Sequence, residues 1–473
     1  MTASRLALVL ALALGPARSL AAQDWPQSRH DAQNTASVEL DAPASQRPRP
    51  WAFDGAGRVW GYEPGLVVWT SAALGVVEGR AVALVGSYDH RVWALDAATG
   101  EQLWKFTTGG PLHGAPVLWD AGGRPVVFAA SSDRLVYALD AATGRTLWVH
   151  SVETYQPTLG GARLSAPCVG RAAGRDAVFV GHWVYDRSLV HSLQRGGVTA
   201  LDARDGKPLW TQILGDNEVT AAIFAEHDGR GRVYVGSSNG NLYALAADTG
   251  AELWHKTELD AVRSPPAWVP LPRPLVATAS KYGMVRGLDA ETGTEAWSFK
   301  TGDRVTGSPL VTPGDAPQVI VGSYDRRLWA LDAGTGAPAW SYLARGGFYS
   351  SPAFVPSSPD LLLASAWDHA LHAVAAQGGA HQFTTYTGQP LWNVGGLDDS
   401  NWASPSAARI QGSWIVFHGS YDGTLRALPL DERDRRPPPV RSNFWFWVSF
   451  PIALAPLAAV ALLLTQRERR RRR

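Results

Sequence analysis

Between residues 70 and 430 the apolar positions fall in short alternating runs broken by turn residues. One unit shows the pattern. The run Ala81 to Val85 meets the turn Gly86-Ser87-Tyr88-Asp89, the run Val92 to Leu95 stops at Asp96, and Trp104 and Phe106 follow a Thr99-Gly100 turn. Period-two alternation bounded by Gly, Ser and Asp predicts β-strands joined by tight turns. Each unit therefore reads as three alternating strands, a Thr-Gly turn and a fourth strand carrying a tryptophan.

The unit repeats. Ala94 to Trp104 (ALDAATGEQLW) returns as Ala138 to Trp148, Ala200 to Trp210, Ala244 to Trp254, Gly287 to Trp297 and Ala330 to Trp340, with a worn copy from Ala373 to Trp392. The tryptophans are spaced 44, 62, 44, 43, 43 and 52 residues apart. Four antiparallel strands in such a period match a propeller blade and no helical solenoid. The last strand of this type, Ala427 to Leu430, has no Thr-Gly turn or tryptophan after it, while Trp51 to Asp54 resembles a fourth strand with no third before it. The expected fold is all-β: an eight-bladed β-propeller closed by the N-terminal outer strand around Trp51. The pattern ALDxxTGxxxW, the Gly-Ser-x-Asp turn and Trp25-Pro26-Gln27-Ser28 resemble the tryptophan-docking repeat of the pyrroloquinoline quinone (PQQ)-like propellers. That family includes quinoprotein dehydrogenases and the propeller subunit of the outer-membrane β-barrel assembly machine. The resemblance implies the fold over roughly residues 25 to 430 and leaves function open between enzyme and scaffold.

The ends predict export and anchoring. Residues 1–22 read as a signal peptide, with Arg5 ahead of an apolar run and small residues near Ala21. The propeller is assigned to 23–430, a Pro-rich linker to 431–442, a single C-terminal transmembrane helix to 443–465 and a basic cytoplasmic tail to 466–473. The expected topology places the propeller outside the cytoplasm, periplasmic or extracellular, with the membrane as one partner through that helix. Of 43 basic and 42 acidic residues, two Arg lie in the leader and six Arg and one Glu in the tail, leaving 35 against 41 and a body of about −6. An acidic body argues against nucleic acid as a partner. The family, the lack of Asn-x-Ser/Thr sites and the single cysteine point to a bacterial envelope.

Candidate chemistry is sparse. Cys168 is the sole cysteine, which excludes an internal disulfide and a multi-thiolate zinc site. In family members that use PQQ a vicinal cysteine pair stacks on the cofactor, so the resemblance implies none is bound here. Asp96, Asp140, Asp202, Asp289 and Asp332 precede the Thr-Gly turns, where a carboxylate accepts backbone N–H bonds. His369 and His372 point to opposite faces of a strand, His182 and His191 lie in an insertion, and Asp398, Asp399 and Asn401 lack a calcium-loop pattern. No catalytic residue, cofactor or metal site is expected.

One face stands out. The residues before the inner strands read Trp60, His113, Leu164, Val219, Arg263, Thr306, Tyr349 and Trp402, and the loops joining second to third strands add Tyr88, Trp183, Tyr324, Trp367 and Tyr421. Aromatics interspersed with Arg163, Arg263, Arg304 and Arg345 suit a protein or glycan contact surface. The function expected is a non-catalytic, membrane-anchored scaffold or receptor that binds envelope protein or glycan on this membrane-distal face. A PQQ-dependent alcohol or sugar oxidoreductase and a ligand or glycan sensor are the alternatives.

Overall fold

The structure is a computed structural model that describes residues 31, 36–40, 51–54, 70–152, 160–186, 194–215, 217–257, 260–368, 370–386, 404–419 and 424–430. These form eight sheets. Blade 1 consists of Ala73–Val77, Arg80–Gly86, Arg91–Asp96 and Gln102–Thr107, in that order from inner to outer strand. Blades 2 to 7 span residues 117–151, 160–215, 223–256, 267–300, 310–343 and 353–386. Inner strands of neighbouring blades approach one another around the axis.

Burial follows from this arrangement. A blade is covered on both faces by its neighbours, so second strands such as Ala81 to Gly86 are buried at every position. Outer strands such as Gln102–Thr107 lie at the rim and alternate exposed and buried residues. That is why Ala, Val and Leu run almost unbroken near the axis and polar alternation returns at the periphery.

The repeated tryptophan joins blades. Trp104 Nε1 donates to the Ala141 carbonyl at 2.8 Å, and its indole lies over Gly144 of the next blade, where a Cβ would stand 2.7 Å from the ring. Gly144 also has φ +70, so glycine meets two demands at once. The same bond runs from Trp148 to Ala203, Trp210 to Ala247, Trp254 to Ala290 and Trp297 to Ala333. Trp340 departs from the rule. It covers Gly379 but donates to Gln318 Oε1 of its own blade at 3.2 Å. The Asp residues act as turn acceptors: Asp289 takes the N–H groups of Glu291 and Thr292 at 3.1 and 2.9 Å, and Asp332 those of Gly334 and Thr335 at 3.1 and 2.8 Å.

Blade 8 corrects the expected closure. Its strands Ser406–Ile410, Ser413–Gly419 and Thr424–Pro429 take Trp51–Asp54 as an antiparallel outer strand. They also take Ser37–Leu40 on the axial side, parallel to Ser406–Ile410, with Glu39 accepting from Arg409 Nη1 at 3.0 Å. The N-terminal pairing thus completes a single sheet from both sides. It does not close the ring by hydrogen bonding, because among the described residues no strand ladder passes from one sheet to the next and the blades meet through side chains. The physical reason is that strand ladders run radially within a blade, whereas neighbouring blades meet face to face.

The transmembrane helix is corrected as well. Among the described residues no helix is long and apolar enough to cross a membrane, and 443–465, to which the helix was assigned, lie outside them. The single-pass anchor, the membrane as partner and the topology built on them are not carried forward. The leader, the linker and the tail also lie outside the described residues.

Candidate recognition face

The upper face carries the hairpins joining second to third strands and the loops between blades. In blades 1, 3, 4 and 7 a hydroxyl pins the inner strand there: Gly86 N–H donates to Thr70 Oγ1, Gly181 to Ser165 Oγ, Gly236 to Thr220 Oγ1 and Ser365 to Ser350 Oγ, all at 3.0 Å. This register corrects one sequence assignment. In blade 1 the residue before the pinning hydroxyl is Trp69, so Trp60 does not hold the position that His113 holds in blade 2. Trp60, Trp402 and Tyr421 lie outside the described residues.

The remaining candidates fall into two arcs. The first runs over blades 1 to 5. Tyr88 Oη and His113 Nδ1 are 2.5 Å apart with their rings edge to face at 4.8 Å. Burial pushes the Tyr88 hydroxyl up to about 12, opposed by Arg163 and reinforced by Glu218. Burial, and then Arg163, pushes His113 down to about 4. Arg163 sits on the strand Gly160–Leu164, which pairs with the overhang of Arg175–Asp186 in register Arg163 to Trp183. The insertion in the third unit is therefore a raised three-stranded extension, and it presents Arg163 to Glu218 at 3.3 Å. A cavity of about 140 Å3 opens beside this pair, lined by Thr220, Ser238, Arg263, Lys281 and Thr306 among others.

The second arc covers blades 6 and 7. The Arg304 guanidinium lies 4.5 Å from the Tyr324 ring centroid. Tyr324 meets Trp367 edge to face at 4.8 Å, and Trp367 lies 6.2 Å from Tyr349. Trp367 is 48% exposed. Tyr349 is buried beneath it, with burial pushing its hydroxyl well above the ordinary tyrosine range, so it supports the surface rather than forming it. Leu164 and Val219 are buried too. Asp368 anchors the hairpin by accepting Arg345 N–H at 3.3 Å and pairing with His372 Nε2 at 3.0 Å, while His372 Nδ1 faces Tyr342 Oη at 3.1 Å.

Sequence reading missed Tyr282, the more exposed of the large hydrophobic side chains at this face, at 60% against 48% for Trp367. It stands where other hairpins have Asp, in Ser280-Lys281-Tyr282-Gly283, so a search for an aromatic one place earlier passed over it. Lys281, at a hairpin tip, and Glu218, in the loop between blades 3 and 4, were missed because charge in such loops is unremarkable in sequence and gains meaning only from the neighbouring blade.

The residues do not fit the cofactor chemistry that the resemblance raises. Cys168 is buried, with burial raising its thiol far above the usual range, and no second thiol exists. Among the described residues no three His, Cys, Asp or Glu side chains are grouped to hold a metal ion. The described lining of the cavity carries three cationic side chains and one carboxylate, Glu218, that is paired with Arg163, a donor set unsuited to calcium.

A ring of eight four-stranded repeats docked by tryptophan defines a PQQ-like repeat β-propeller, and the chain belongs to that family. Its family profile, described as outer membrane protein assembly factor BamB, matches residues 51–234, 194–278 and 238–432. Among solved structures the chain is similar to quinohemoprotein alcohol dehydrogenase from Comamonas testosteroni, at 16% identity and TM-score 0.64, covering 88% of this chain and 82% of that one. It is also similar to Saccharomyces cerevisiae Sqt1, at 11% identity and TM-score 0.60, covering 82% and 100%. The computationally designed Ika8 protein matches at 18% identity and TM-score 0.56, covering 77% and 98%. These identities establish a shared fold. No curated protein matches the chain.

Proposed function

We propose that the protein is a non-catalytic binding propeller that holds a partner protein on its upper face. The observation that carries this reading is the contiguous cluster Arg304, Tyr324, Trp367 and Tyr349, with a half-exposed indole held rigid by two neighbouring rings. Large aromatics preordered in this way contribute most to binding because little side-chain entropy remains to be lost. Family membership supports a role in the cell envelope.

A photo-crosslinking amino acid at Tyr324 tests the reading. A discrete protein adduct is expected in cells, and Trp367→Ala should reduce it at least tenfold. Equal capture by the variant, or no adduct at all, would sink the idea. The enzymatic alternative has its own test: purified protein given PQQ and calcium should not reduce dye with alcohols or sugars, and turnover would overturn the non-catalytic reading.

A further inference from the structure

The cationic arc suggests what kind of partner the aromatic arc receives. The N-terminal strand Ser37–Leu40 lies on the axial side of blade 8 and reaches the inner strands of blades 7 and 1. On the upper face the cavity of about 140 Å3, the mouth of the cationic arc, lies between Arg163, Arg263 and Lys281, with Glu218 the one carboxylate among the described residues that line it. Glu218 is committed to Arg163 at 3.3 Å, and Arg263 makes no ion pair among the described residues. The lining threonines are already engaged: Thr220 Oγ1 accepts Gly236 N–H and donates to the Ala221 carbonyl, and Thr306 Oγ1 donates to the Tyr349 carbonyl. That last bond ties the cavity wall to the aromatic arc.

We propose that this mouth receives carboxylate side chains of an acidic segment of the bound partner, with the guanidinium of Arg263 as the principal donor and Lys281 and Arg163 beside it. The proposal rests on the scaffold reading and gives its partner a chemistry. Guanidinium groups pair with carboxylates through two parallel N–H bonds, and the Glu218 contact shows a carboxylate already seated at this rim. The body's excess of acidic residues repels a long polyanion, whereas a short acidic segment meets only the cationic mouth. Glu218 then acts as an internal competitor that a partner carboxylate displaces from Arg163.

The test uses the full chain and three fluorescent probes: a Glu-rich decapeptide, its Lys-rich counterpart and a single-stranded oligonucleotide. The Glu-rich peptide should bind, weaken with added salt and lose at least tenfold in affinity with Arg263→Glu combined with Lys281→Glu. Lys207→Glu, on the opposite face, should change nothing. Glu218→Gln should tighten binding severalfold, a gain that no folding defect can imitate. Preference for the oligonucleotide, indifference to the double charge reversal, or weaker binding by Glu218→Gln would each overturn the proposal. If the peptide fails to bind while adducts at Tyr324 persist, the mouth proposal falls and the scaffold reading stands; loss of the adducts removes both.

Discussion

The two faces of the ring use their turns differently. On the lower face the turns closely resemble one another from blade to blade, because each presents a glycine to the neighbouring indole and most present, through Asp96, Asp140, Asp202, Asp289 and Asp332, a carboxylate to their own backbone. On the upper face most hairpins keep a tethering Asp, replaced by Asn239 in blade 4 and Tyr282 in blade 5, and vary almost everything else: Tyr88, Ser132, Ser238, Lys281, Tyr324 and Trp367 occupy one equivalent place. Uniform chemistry marks the face that holds the ring together, and divergence marks the face open to recognition.

Substitutions on the two faces should therefore separate stability from binding. The largest effect belongs to the lower face: Trp297→Ala removes a buried indole and its bond to Ala333 and should cost about 3–5 kcal/mol, read as a fall in urea midpoint with Tyr324 adducts intact at low temperature. Next is the acid response of the upper face. His113 is neutral in the fold down to about pH 4, whereas the unfolded chain takes up its proton near 6.5. More protons bind to the unfolded state between those values, so stability is full above about pH 6.5 and falls towards pH 4, by on the order of 3 kcal/mol for this group. His113→Gln should flatten that part of a midpoint-against-pH curve; an unchanged slope would show that His113 is not its source. His182, pushed down to about 4 by burial, adds a second contribution that His113→Gln leaves in place.

Asp289→Asn should cost about 1–2 kcal/mol, since the amide keeps an acceptor for the turn but loses the charged bond to Arg273 at 2.5 Å. Burial would raise the Asp289 carboxyl, but bonds from Thr292 and Arg273 outweigh it and hold the group below its ordinary value. Its stabilisation is thus present at neutral pH and lost as pH falls through the acid range. The smallest change in stability is expected for Trp367→Ala, within about 0.5 kcal/mol, because half of the ring already faces solvent. A large destabilisation by Trp367→Ala would erase the distinction between the faces.

Blade number and docking residues were legible in the sequence because one physical constraint, an indole over a glycine, recurs with a fixed period. The face was legible only in part. His113, Arg263, Tyr324 and Trp367 follow from register, but Trp60 was misplaced because blade 1 begins its inner strand with Thr70-Ser71-Ala72 and has no proline there to mark it. The cavity escaped notice because Arg163, Glu218 and Lys281 come from three different blades. The axial strand Ser37–Leu40 was invisible for a related reason. Four residues of mixed polarity carry no pattern, and their pairing is decided by a strand about 370 positions away.

That strand also imposes an order of events. Residues 37–40 and 51–54 are made first, yet their partners in 406–429 are made last. The eighth blade cannot assemble until almost the whole chain is available, while seven blades can form from neighbouring sequence as it emerges. The N-terminal arm is left waiting until that late stretch is made, and its docking is the step that completes the sheet of the eighth blade.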